Sequence, residues 1–315
     1  FEDDFYPKDL NKSINYLKTS GNARSLFSLA KIYFQCNDIN KCIHYATLSA
    51  DKGNADACKF LGFLYISMFD DKGKALKYMS NADTKNDPNA LLLLYYIHIN
   101  KNVKEAIHYL EDAANLGSVD AHRFLGLIYS SDLVPTDLEK AIYHFKIAAD
   151  QKDSESIFRL GLIFLNKDNK DLFNINKGIE LVSMAAKNNH LNAICYLGIF
   201  YQLGIFISKD TSRAIKYLTI AAEQGHALAQ NSLGIIYYRE EKYYDLEKSI
   251  MYLTASSNQN LSDASFYLGS IYLEKKQNID LSIHYYSMAA KLGHSLAKYK
   301  LGMIYKNKKY KVFNL

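Results

Sequence analysis

Nine histidines and four cysteines are the side chains of this 315-residue chain best suited to acid–base, nucleophilic or metal chemistry. Such chemistry needs particular spacings: two His one helical turn apart for zinc, a nucleophile beside an imidazole, glycines that cradle a phosphate. None is present. The chain has no His-Glu-x-x-His, no Gly-x-x-x-x-Gly-Lys-Ser/Thr, no Gly-x-Ser-x-Gly and no Gly-x-Gly-x-x-Gly. Cys36, Cys42, Cys58 and Cys195 form no Cys-x-x-Cys pair and follow no period, so free thiols are expected. The histidines recur in fixed places. His44, His108 and His284 each stand two residues after a small residue, a position expected to be solvated. His190, His226 and His294 fall in turns. His98 and His144 replace a tyrosine, and His122 follows Ala121. All nine are thus expected to have structural roles, and no catalytic residue, cofactor or metal is expected.

The places are fixed by a repeat. Leu-Gly-x-x-Tyr occurs at Leu61-Gly62, Leu125-Gly126, Leu197-Gly198, Leu233-Gly234, Leu268-Gly269 and Leu301-Gly302. Leu29-Ala30 and Leu160-Gly161 are close variants, and Leu94-Tyr95 is the most deviant copy. A second motif follows, with a small residue, Tyr three positions on and a small residue seven on. Examples are Ala75, Tyr78, Ala82 and Ala106, Tyr109, Ala113 and Ala214, Tyr217, Ala221. Spacings of three, four and seven place residues on one helix face. Glycine then stops the helix at Gly53, Gly117, Gly225 and Gly293. Each unit is therefore helix A, loop, helix B and turn, and a lone pair of that size cannot bury both faces, so neighbours must stack. A mid-helix glycine costs roughly 1 kcal/mol against alanine. Its recurrence at seven sites (Gly62, Gly126, Gly161, Gly198, Gly234, Gly269 and Gly302) predicts close contact between helices A and B.

Composition agrees. A hydrophobic fraction of 49% with 23% charge excludes wholesale disorder, and 3 prolines favour helix. The longest apolar run, Ala90 to Ile97, falls well short of the roughly twenty residues of a membrane span. A net charge of +5 does not point to nucleic acid, and the basic run Lys306 to Lys311 reads as a solvated end. The opening Phe-Glu-Asp-Asp has neither Met nor a leader-like pattern, as expected of a fragment or processed chain. The cysteine usage slightly favours a cytoplasmic setting. Asn-x-Ser at Asn11 and Asn260 leaves the ER lumen open.

The pattern Ala-x-x-x-Leu-Gly-x-x-Tyr, then Asp-x-x-Lys/Arg-Ala-x-x-Tyr-x-x-x-Ala-Ala-x-x-Gly-His, resembles the Sel-one-like repeat (SLR), a relative of the tetratricopeptide repeat. One copy reads Ala193, Leu197, Gly198, Tyr201, Asp210, Arg213, Ala214, Tyr217, Ala221, Ala222, Gly225, His226. The resemblance implies an all-α fold, a right-handed superhelical α-solenoid of stacked antiparallel helix pairs. The whole of 1–315 then forms a single solenoid: a half repeat at 9–22, about eight repeats over 23–294, a last helix A at 295–305 and a basic tail at 306–315. It further implies a non-enzymatic scaffold for a protein or peptide partner, with neither nucleic acid nor small-molecule substrate. An adaptor of ER-associated degradation, an activator of an enzyme such as a cell-wall synthase, and a secreted effector are the settings it leaves open.

In such folds helix A lines the concave face. Offsets of six and three before the glycine and one, four and five after it give a candidate groove. Its members are Lys59, Arg123, Phe158, Asn192, Gln202, Asn231, Tyr238, Arg239 and Phe266, with Asp56, Phe63, Asp120, Glu155, Asp263 and Glu274 beside them. Asn amides would clamp an extended backbone, and Arg would take a carboxylate. One helix departs from the pattern. Asp87-Pro88 starts it well, and Leu91 to Ile97 cover every face with apolar groups, so neighbouring repeats or a partner must cover it.

Overall fold

The structure is a computed structural model that describes residues 10–82 and 86–312. Among these the regular elements are helical. In chain order they are α1 (Leu10–Ser20), α2 (Ala23–Gln35), α3 (Ile39–Asp51), α4 (Ala55–Ser67), α5 (Lys72–Met79), α6 (Pro88–His98), α7 (Val103–Asn115), α8 (Val119–Tyr129) and α9 (Leu138–Asp150). There follow α10 (Ser154–Leu165), α11 (Ile175–Lys187), α12 (Leu191–Leu203), α13 (Thr211–Glu223), α14 (Ala227–Arg239), α15 (Leu246–Ser257), α16 (Ser262–Glu274), α17 (Ile279–Lys291) and α18 (Ser295–Val312). The even-numbered helices are A helices and the odd-numbered ones B helices. The chain divides at a repeat boundary into two compact units, one ending at Asp153 and one beginning at Ser154.

Local chemistry sets the helix ends. Asp38, Asp71, Asp137, Asp210 and Asp245 each cap a B helix by accepting the amide three residues on. The other carboxylate oxygen holds the Lys or Arg at that same position, as in Asp38–Lys41 at 2.8 Å and Asp245–Lys248 at 3.2 Å. That cation then lies over the helix A aromatic ring: Lys41 on Tyr33, Lys74 on Tyr65, Lys140 on Tyr129, Arg213 on Tyr201 and Lys248 on Tyr237. The recurrent Asp-x-x-Lys is thus a cap, an ion pair and a cation–π contact in one. After the B helices the chain turns through the left-handed region, at Gly53, Gly117, Gly225 and Gly293 with φ between +81° and +93°. Asn189 and Asn260 make the same turn at φ 59° and 63°, asparagine being among the side chains that tolerate it.

The two seams meet as expected. A Cβ on Gly126 would stand 2.6 Å from the Phe145 ring, on Gly198 2.6 Å from Leu218 Cγ, and on Gly269 2.6 Å from the Tyr286 ring. Where serine replaces alanine on helix B, its hydroxyl donates to a helix A carbonyl, as Ser249 does to Gly234 and Ser282 to Gly269. The buried hydroxyl is thereby satisfied. The tyrosines of the two seams stack nearly parallel, at 5.4 Å for Tyr33–Tyr45, 5.8 Å for Tyr201–Tyr217 and 5.4 Å for Tyr272–Tyr285.

Four details differ from expectation. Among the described residues nothing lies within 4 Å of a Cβ on Gly302, so its expected close contact is not made. Helix α5 ends at Met79, so Ala82 lies beyond it and is no part of a helical seam. Helix α18 continues to Val312, through the segment expected to be a basic tail. The side chains beyond Lys306, and that of Asn11, lie outside the described residues. Phe158 and Asn231, assigned to the groove, are buried.

Candidate functional site

Within each unit, successive A helices touch: α4 with α6, α12 with α14, and α14 with α16. Among the described residues no contact of comparable extent joins successive B helices. The A row is therefore the inner row of each stack, as the resemblance implied.

The polar residues of this row are engaged with one another. At α6, α10, α12, α14 and α18 the residue that begins the A helix reaches back to the preceding A helix. Lys59 pairs with Asp87 at 2.7 Å and Asp56 at 2.9 Å. Arg123 pairs with Asp153 at 2.8 Å and Asp120 at 2.6 Å, and its guanidinium lies over Phe124. In the second unit histidine takes the starting position. His190, His226 and His294 accept the amides of Ala193, Ala229 and Ala297 through Nδ1. Their Nε2 atoms lie 2.8 Å from Glu155, 3.0 Å from Asn192 and 3.4 Å from Asp263. Nδ1 accepts, so Nε2–H donates, and the tautomer is fixed. The His190 hydrogen bond, with Arg159 beyond it, holds the Glu155 carboxyl down at about 2 against the opposing effect of burial.

Each expected groove residue therefore has a definite place. Lys59, Arg123 and Asn192 serve this ladder between repeats. Phe158 is 2% exposed against His190 and Tyr196, a correction, and Phe266 stacks on His294 at 4.4 Å. Gln202 donates to the Ser232 carbonyl, and the Tyr238 hydroxyl donates to Glu274 at 2.9 Å. Arg239 is exposed, with its guanidinium over Tyr267. Asn231 is 4% exposed and its Oδ1 is buried without a partner, so it clamps no peptide from a surface.

What the structure does bring together is a cleft between α4 and α6, about 420 Å³ in volume. Phe63, Leu92, Leu93 and Tyr96 give it an apolar wall, and the Lys59–Asp87 pair and Asn89 line it too. Phe63 and Tyr96 are 48% and 43% exposed. Phe124 meets Tyr96 edge-on at 5.7 Å and extends the aromatic surface to α8. Burial works to raise the Asp87 carboxyl, but the Lys59 hydrogen bond and the Asn89 and Ala90 amides outweigh it and keep it below its ordinary value. The sequence offsets gave Lys59 and Phe63 of this site but missed its α6 side, because they were counted from a glycine that the third repeat lacks. Counted from Tyr95 in its place, six before, three before and one after give Asn89, Leu92 and Tyr96.

The remaining reactive groups are built into the scaffold. Buried Cys42 and Cys195 have thiols pushed up to about 11 and about 12 by burial, far from a nucleophilic thiolate. The four cysteines are free. His44, His108 and His284 are exposed, as expected. His144 takes the stacking place on Tyr129 at 5.9 Å, and its Nδ1 lies 3.0 Å from Nδ1 of His122. Among the described residues no group of three or more His, Cys, Asp or Glu could hold a metal, and no helix is long and apolar enough to cross a membrane.

The Sel1 repeat family model matches residues 26–54 and 97–118, then 119–153, 154–190, 191–226, 227–261 and 262–294 without a break. The chain belongs to the Sel1 repeat family. Proteins built from this repeat typically mediate protein–protein interaction. A sel1-like repeat-containing protein of Acanthamoeba polyphaga mimivirus is 35% identical over 41% of this chain, which is 24% of the viral protein. The Sel1-repeat-containing protein YjcO of Escherichia coli is 30% identical over 51% of this chain and 77% of its own length. Two solved structures share the fold at 23% identity, each over 93% of this chain. A protective antigen of uropathogenic Escherichia coli with an SLR fold has a TM-score of 0.71 and is covered over 67% of its length. A Sel1 repeat protein from Oxalobacter formigenes has a TM-score of 0.69 and is covered over 90%. The all-α solenoid is thus shared, and residues 55–96, which carry the cleft walls, are the internal stretch that the family model leaves unmatched, besides 1–25 and 295–315 at the ends.

Proposed function

We propose that this chain, read as one solenoid domain, is a non-enzymatic scaffold that holds a segment of another protein on its inner, A-helix face. The observation that carries the reading is the cleft between α4 and α6. Along much of the A row the polar side chains of neighbouring repeats pair with one another, and here two aromatic rings, Phe63 and Tyr96, stand uncovered beside an apolar cleft. Exposed aromatic side chains beside an apolar cleft are the usual anchors of a protein interface. The absence of a catalytic motif from the sequence favours a scaffold over an enzyme.

The test is site-specific photocrosslinking in the native setting. A photoreactive residue is placed at Phe63 on α4 or, as a control, at Met251, which is 55% exposed on helix B α15. Discrete protein adducts at Phe63 and none at Met251 are expected. Adducts at Met251 alone would place the interaction on the outer row and overturn the reading.

A further inference from the structure

The charge around the cleft defines the partner more narrowly, on the footing of the function just proposed. Two cations reach the A-row surface at its ends, Lys59 on α4 and Arg123 on α8. Each is held by two carboxylates, Asp56 and Asp87 for Lys59, Asp120 and Asp153 for Arg123. Each triad therefore carries one net negative charge. The cations, with side chains 27% and 24% exposed, are enclosed together with the inner carboxylates, Asp87 at 24% and Asp153 at 12%. The outer carboxylates face solvent, Asp56 at 69% and Asp120 at 52%. An incoming carboxylate meets no unclaimed guanidinium and two exposed like charges. Lys72 also reaches α6, donating to the Tyr96 carbonyl at 3.3 Å. Between the two triads lies the apolar wall of Phe63, Leu92, Leu93 and Tyr96. Electrostatic complementarity selects partners by disfavouring like charge.

We propose that the α4–α6 cleft binds a peptide segment that seats one large apolar side chain against Phe63 and Tyr96 and places basic residues on either side of it, against Asp56 and Asp120. Arg123 then acts as the inner counter-charge of a triad, and acidic segments are rejected.

Phage-displayed random peptides selected on the full chain test this directly. Recovered sequences should pair an aromatic or aliphatic anchor with flanking Lys or Arg. Fluorescence anisotropy of the best synthetic peptide should show affinity falling about tenfold in Tyr96→Ala, the loss expected of an interface anchor. The double variant Asp56→Asn, Asp120→Asn should weaken it several-fold and flatten its salt dependence. That double variant leaves the Lys59–Asp87 and Arg123–Asp153 pairs in place, and an unchanged melting curve confirms that the fold is intact. A version of the peptide with Glu for each Lys or Arg should not bind. Selection of acidic peptides, indifference to the double Asn variant, or recovery of no peptide would overturn the inference. None of those results touches the photocrosslinking test, which reads the A-row face whatever the partner's charge.

Discussion

The second and third repeats, α4 to α7, and the repeats of the second unit, α10 to α17, use one motif to opposite ends. In the second unit each seam closes. The ladder from His190 to Glu155 and from His226 to Asn192 satisfies the polar groups of one A helix with the cap of the next. Phe158 is covered by His190, and Phe266 by His294, which starts the last A helix. In α4 to α7 the repeat is looser. Helix α5 is 8 residues long where its counterparts have 12 or 13, and the helix-contact glycine is replaced by Tyr95 on α6. Leu92, Leu93 and Tyr96 are left on an open face. A repeat that departs from its neighbours thus frees the surface that they use to hold themselves together.

The largest effect that would break this comparison is overpacking of a closed seam. Gly198→Leu introduces a side chain whose Cβ alone stands 2.6 Å from Leu218 Cγ and 3.2 Å from the Leu218 backbone nitrogen. A loss of about 2–3 kcal/mol, or several degrees of melting temperature, is expected by calorimetry. Gly302→Leu, with nothing within 4 Å, should leave the curve unmoved. Equal losses in both would refute the close-packing argument.

Acid should act on two sites, the His122–His144 pair of the first unit and Glu155 of the second, in different ranges. Burial first, then His122 and Lys140, lower His144 from 6.5 to about 4, and burial also lowers His122. The unfolded chain therefore takes up these protons before the folded one. Stability is complete above pH 6.5 and is lost as the pH falls from there towards 4. In the second unit Glu155 is depressed from 4.5 to about 2. Its contribution is present above 4.5 and is lost only as the pH falls from 4.5 towards 2. His144→Tyr restores the ring that most repeats carry. It should shrink the fall in melting temperature between about pH 6.5 and 4.5, whereas Glu155→Gln should leave that interval alone and flatten the more acidic limb. The reverse assignment would show that the His122–His144 pair is not the acid-sensitive element of the first unit.

Two smaller effects sharpen the contrast. Asn231 leaves a buried acceptor unpaired inside the otherwise satisfied second unit. Such a group costs about 1–3 kcal/mol, and part of this should return in Asn231→Ala as a melting temperature that holds or rises slightly. A clear drop would reveal a partner for that side chain. Gly62→Ala in the looser region should change stability by less than about 0.5 kcal/mol. The gain in helix propensity of roughly 1 kcal/mol is set against displacement of the flexible end of Met79, 2.6 Å from the new Cβ at its sulfur. A loss as large as that at Gly198 would make the two regions equally tight.

Residues that contact their own helix or their own repeat were legible in the sequence. The spacing of Tyr201 and Tyr217 announced the seams, and Gly225 before His226 announced the turn. Asp87-Pro88 announced the start of α6. Residues whose meaning depends on the next repeat were not. Nothing near Lys59 in the chain says that Asp87, 28 positions later, neutralises it. Nor does the sequence show that His144 meets His122 across the repeat, or that Asn231 is enclosed while Arg239, eight residues further along the same helix, is exposed.

By itself, then, the sequence determined the helical periodicity, the caps, the stacking of helix pairs and hence the Sel1 solenoid, because these follow from short spacings repeated many times. Tertiary structure alone decided which side chains of the inner row remain available. Availability is what is left after neighbouring repeats have paired their charges and buried their rings. In this chain the irregular third repeat leaves such surface along the open face of α6.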